Sequence, residues 1–157
     1  MSIRCWLPGY DPTDVTVTLL TDEQLHLLVD AAVLRWAAAG LDDQQLGRLR
    51  GVRLRIADLG DDRLGQYDGR SVTLDDDAAG FGWFLDPTPL TDEEFAPAAV
   101  DHVLAALGSG PAAGKLDLLT VLMHELGHIA GLDDLDVQTV PDSLMTEMLT
   151  AGERRLP

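Results

Sequence analysis

Residues 118–130 are apolar apart from Thr120, His124, Glu125, Gly127 and His128, and they constrain the chain more than any other segment. Leu119, Leu122, Leu126 and Ile129 recur at helical spacing, so the segment is expected to be a helix. Asp117 stands where an N-cap belongs. Gly131 stands where a left-handed residue would stop the helix.

His124 and His128 are four residues apart, which places both imidazoles on one helix face, one turn apart. Two of the chain's four histidines fall in this otherwise apolar helix. Two converging neutral imidazoles make half of a tetrahedral zinc site. Glu125, beside the first histidine, is free to act as a base toward a water whose pKa zinc lowers to about 7. After Gly131 the chain turns back, and Asp133, Asp134 and Asp136 are all competent carboxylate ligands. Gly127, inside the helix, costs about 1 kcal/mol relative to Ala, which implies a close-packing neighbour. His26 and His102 read as structural or exposed residues in helical stretches.

The rest of the chain reads as one domain of 157 residues, with 46% hydrophobic residues to fill a core. Thr21 and Gln24 form a capping box for an amphipathic helix over 22–39, ended by Gly40. Strands are expected at Val15–Leu20, around Val52–Ala57, at Val72–Leu74 and at Gly82–Leu85. Residues 60–69 read as an acidic turn, and Val100–Leu107 as helical. The element order suggests an α+β domain with helices packed on one sheet. There are 27 Asp plus Glu against 11 Lys plus Arg, a net charge of −16 that argues against nucleic acid or an anionic membrane as partner. No apolar run is long enough to span a membrane. Cys5 is the only cysteine, so no intrachain disulfide forms. The start lacks a signal peptide's apolar stretch, so the chain either acts inside the cell or comes from a longer secreted precursor.

His124-Glu125-x-x-His128-x-x-Gly131-x-x-Asp134 resembles the zinc signature of the metzincin metallopeptidases, in the snapalysin-like variant with aspartate as third ligand. Ser143-Leu144-Met145-Thr146 resembles the methionine turn beneath the metal in that clan. Arg35–Gly40 and Asp77–Phe84 resemble the opening helix of matrixin-like domains and the segment before their active-site helix. The resemblance implies a twisted mixed sheet, an N-terminal backing helix, an active-site helix and an irregular C-terminal Met-turn region. It implies a catalytic domain over 15–157 preceded by an N-terminal extension, 1–14, as a pro-segment remnant. Its ligands would be His124, His128 and Asp134, with Glu125 as general base and Met145 as the floor. A peptide substrate would lie along an edge strand near Gly82–Leu85, beside a pocket lined by residues around 140–149. No tyrosine follows the turn to assist.

Arg4-Cys5-Trp6-Leu7-Pro8 resembles the matrixin cysteine switch, which would make Cys5 an inhibitory zinc ligand; otherwise Cys5 is a small hydrophobe. Asp75, Asp76 and Asp77 would hold calcium, as the corresponding matrixin region does, with Asp61, Asp62 and Asp68 nearby. The resemblance points to a monomeric, extracellular or cell-surface zinc endopeptidase. The alternative is a metzincin-like binding or adhesion module with a weakened metal site.

Overall fold

A computed structural model describes residues 1–5 and 17–157. Its elements are β1 (Ser2–Cys5), α1 (Asp22–Ala38), α2 (Asp43–Arg50), β2 (Arg53–Ala57), β3 (Arg63–Tyr67), β4 (Ser71–Asp75), β5 (Trp83–Phe84), β6 (Phe95–Pro97), β7 (Val103–Ala106), β8 (Leu116–Asp117), α3 (Leu118–Ala130), β9 (Met148–Leu149) and β10 (Glu153–Arg155). The class is α+β, with three helices and mixed sheets among the described residues.

The main sheet has the order β2-β4-β3-β1-β9. β2 runs parallel to β4, β3 pairs antiparallel with both β4 and β1, and β1 runs parallel to β9. α3 packs on β3 and β1 on one side and on α1 and α2 on the other. It is therefore buried along almost its whole length, as a helix apolar nearly all round must be. Leu25, Leu49, Leu64, Leu74, Leu122 and Leu126 are fully inaccessible in the core between these layers. The Trp36 indole ties α1 to α3 by donating to the Met123 carbonyl at 2.9 Å.

Both helix starts read from sequence are present. The Gln24 amide donates to Thr21 Oγ1, and the Thr21 amide to Gln24 Oε1, closing the capping box of α1. Asp117 accepts from the Thr120 amide and caps α3. α2 has the same kind of start, a capping box between Asp42 and Gln45 that the sequence reading passed over.

Three expectations are corrected. Residues 15 and 16 lie outside the described residues, and 17–20 form no strand; the Leu20 amide donates to the Asp76 carbonyl. Val100–Leu107 is not helical. His102 has φ 67°, and Val103–Ala106 pair with β6 and β10. Residues 60–69 contain a strand, β3, whose Gly65 lets α3 come close. Within the expected N-terminal extension, residues 2–5 pair with β3 and β9 in the main sheet, and residues 6–14 lie outside the described part.

The N-terminus of α3 is held by a buried charge cluster with no counterpart in the sequence reading. Arg154 is fully buried and forks onto Asp117, with Nε and Nη2 at 2.9 and 2.8 Å from the two carboxylate oxygens. Its Nη1 pairs with Asp86 at 2.7 Å and Asp92 at 2.9 Å, and its guanidinium sits 4.3 Å from the Phe95 ring centroid. Burial opposes the charge, but the three carboxylates outweigh it and raise the pKa further above the usual arginine range. Removing one partner of such a cluster leaves uncompensated buried charges, so Arg154→Met is expected to cost about 3–5 kcal/mol in chemical denaturation. A loss below about 1 kcal/mol would mean that the carboxylates find other donors.

Candidate metal centre

The i, i+4 spacing does on α3 what it does on any helix: it stacks His124 and His128 on one face. Their Nε2 atoms are 3.1 Å apart and the rings are nearly perpendicular, at 88°. Each Nδ1 lies 2.9 Å from a backbone carbonyl, His124 from Leu144 and His128 from Leu132. A carbonyl only accepts, so each Nδ1 carries the proton and each Nε2 keeps its lone pair. Burial also pushes the His128 pKa down, which favours the neutral ring.

Gly131, at φ 100°, ends α3 in the left-handed conformation. The Gly131 and Leu132 amides both return to the Gly127 carbonyl, and the chain reverses toward the histidines. The reversal brings Asp134 Oδ1 to 3.3 Å from His124 Nε2 and 3.2 Å from His128 Nε2. Burial works against the Asp134 charge, but the two imidazoles outweigh it and hold the pKa below the usual aspartate value. Asp133 and Asp136 stay exposed, and Asp136 caps a turn through the Gln138 amide. The structure thus brings together His124, His128 and Asp134, and leaves the two competing aspartates outside.

Three lone-pair atoms therefore face one another with no hydrogen between them, and Asp134 Oδ1 is buried without a hydrogen-bond partner. Such a grouping is repulsive unless a cation joins it, so the donor set fits a metal ion.

Glu125 is fully buried, and burial raises its pKa to about 7. Its Oε1 accepts from the Ile3 amide at 3.4 Å, while Oε2 has no partner. Gly65 makes the room: a Cβ there would lie 2.9 Å from Oε1. Gly65 and the Leu132 and Leu144 carbonyls were missed from the sequence. The lone glycine between Leu64 and Gln66 was a signal for close approach, whereas any residue can supply a carbonyl.

Met145 is buried with its sulfur against Gly127 and lies next to Leu144, whose carbonyl holds His124. The Leu135 amide bonds the Met145 carbonyl at 2.9 Å, which ties the Asp134 loop to this turn. A cavity of about 560 Å³ adjoins the turn, lined by Leu132, residues 139–145 and Trp36, so its wall starts where the sequence reading put it but stops short of 146–149.

Other expectations change. Cys5 is buried in the main core and is not grouped with the histidines; burial and the nearby Asp62 raise its thiol pKa, so it behaves as a small hydrophobe. In Gly82–Leu85, β5 pairs with β8 on one side, and Trp83 and Phe84 are buried. Asp75, Asp76 and Asp77 do group within 4.8 Å. Their oxygens already serve the loop, however: Asp75 accepts from the Leu59 and Ala79 amides and Asp77 from Gly80. Asp62 pairs with Arg4, and Asp68 accepts from the amides of Arg70 and Ser71. His26 and His102 are both exposed and apart from the centre.

The packing at Gly127 is directly testable. A Cβ there would fall 2.5 Å from the Met145 sulfur and 3.2 Å from Trp36 Cζ2. Helix propensity alone favours Gly127→Ala by about 1 kcal/mol, whereas overpacking costs about 1–3 kcal/mol. The expected result is a lower melting temperature; a raised one would show that Met145 yields freely. No family model matches the sequence, and no curated protein or solved structure was found to match it.

Proposed function

We propose that this protein is a zinc-dependent endopeptidase, with zinc held by His124 Nε2, His128 Nε2 and Asp134 Oδ1. The observation that carries the reading is the convergence of three lone-pair atoms beside a carboxylate of raised pKa. The metal, when bound, supplies Lewis-acid chemistry to a peptide carbonyl and acidifies water. Glu125 is the proton carrier: a carboxylate with a pKa of about 7 takes a proton at its unpartnered Oε2 and returns it to a leaving amine. Leu132 and Leu144 keep both imidazoles in the ligating tautomer, and Asp134 adds the negative charge that a dication needs. The resemblance of His124–Asp134 and of the Met145 turn to metzincins selects peptides as the substrate class. That resemblance also supports a site of action outside the cell; no helix among the described residues is long and apolar enough to cross a membrane.

The complete burial of Glu125 favours a second reading, a metal-binding module without turnover. Metal content and casein cleavage separate the two. Asp134→Ala is expected to lose stoichiometric zinc. Glu125→Ala is expected to keep zinc but lose cleavage by about 10²-fold or more. Unchanged cleavage by Glu125→Ala protein would sink the mechanism, and stoichiometric zinc without any cleavage would favour the module.

A further inference from the structure

If Glu125 is the group a substrate meets, as the preceding section holds, something must uncover it. Its carboxylate lies under two strands. Gly65 of β3 faces it at close range, and the Ile3 amide of β1 donates to it. β3 is fixed in a hairpin with β4, whose Leu74 is fully buried. β1 is different. It is four residues long and lies between two walls, antiparallel to β3 and parallel to the two-residue β9.

The contacts of β1 are those of a peptide added to a sheet. Main-chain bonds run along both sides: Tyr67 N–H to the Met1 carbonyl at 3.1 Å, Cys5 N–H to Asp62 at 2.9 Å, and Arg4 N–H to Glu147 at 2.7 Å. Alternate side chains, Ile3 and Cys5, enter the core, while Ser2 and Arg4 stay half-buried. Its one ion pair among the described residues, Arg4 to Asp62, is about 40% exposed on both sides, which makes it a weak latch. Backbone pairing with alternate side chains in pockets is how an extended peptide binds a sheet edge.

We propose that Ser2–Cys5 is a tethered peptide ligand: it fills the slot between β3 and β9 in which an extended peptide substrate would lie over Glu125, and it must leave for a substrate to enter. Cys5 contributes to this block by packing, not by ligating a metal.

Two measurements test it. Ile3→Asp puts a carboxylate beside Glu125 and among apolar side chains, which should expel the strand. The probe is a fluorescein-labelled peptide copying residues 1–7. A folded Ile3→Asp protein should bind it about tenfold tighter or more than the unsubstituted chain, whose slot is occupied. Folded protein with no gain in binding overturns the proposal. The second measurement uses the unsubstituted chain and so decides the matter even where Ile3→Asp fails to fold. In native-state hydrogen exchange the Arg4 and Cys5 amides should exchange about tenfold faster or more than the amides of β4, because a ligand strand detaches alone. Equal protection makes β1 part of the frame and overturns the proposal. Probe binding without casein cleavage by the zinc-loaded variant would support the tethered ligand and remove the catalytic reading.

Discussion

Each imidazole of α3 gives its Nδ1 proton to a backbone carbonyl, and that choice settles what the other ring nitrogen can do. Were either ring in the other tautomer, its Nε2–H would point at Asp134 and the group would be an ordinary hydrogen-bonded cluster. With both Nδ1 atoms committed, both Nε2 lone pairs converge. The two carbonyls come from different places, Leu132 just past α3 and Leu144 in the turn near Met145. The Leu135–Met145 backbone bond joins those places. The geometry of the three converging atoms thus depends on loop geometry, which is why a glycine at 131 and a close contact at Gly127 matter to a group that neither residue joins.

The other end of α3 is set with equal care by charge. Asp117 is both the N-cap of the helix and the bidentate partner of Arg154. A buried ion cluster is weak evidence for stability, since well-packed apolar groups often serve as well. Its geometry, however, is exacting. Arg154 gathers Asp86 and Asp92 from one loop and Asp117 from the N-cap of α3, and Arg35 of α1 also holds Asp92 at 2.8 Å. The cluster therefore fixes where α3 begins relative to α1 and the 86–92 loop, and through the rigid helix where the histidines end up.

What was legible in the sequence follows from how local each determinant is. α3, its cap at Asp117, its stop at Gly131 and the return of Asp134 all rest on residues within a few positions of one another. α1 was legible for the same reason, through Thr21 and Gln24. β7 was misread because Val103 to Ala106 lacks the polar alternation that marks a strand, and Ala-rich segments favour helix until neighbours supply ladders; β6 and β10 do so here. β3 was hidden by Gly65 and the polar residues around it. Arg154 looked like a tail residue, since nothing local announces partners 37, 62 and 68 positions away. The carbonyls that hold the two imidazoles were unreadable in principle, because any residue can supply one.

The proposed role of Glu125 makes two conflicting demands on one arrangement. A carboxylate with a pKa near neutrality has to be desolvated, and a general base has to be reached. Burial under β3 and β1 meets the first demand and defeats the second. The two covers are not equivalent. β3 reaches Glu125 with a glycine, which leaves room but no movable side chain, and its far side is locked to β4. β1 reaches it with a backbone amide, the group that any extended peptide presents, and rests against only two residues of β9. A cover made of main chain can be replaced by other main chain without changing the hydrogen bond that Glu125 receives. Desolvation would then pass from the tethered strand to an incoming peptide, and the base would be exposed only during the exchange.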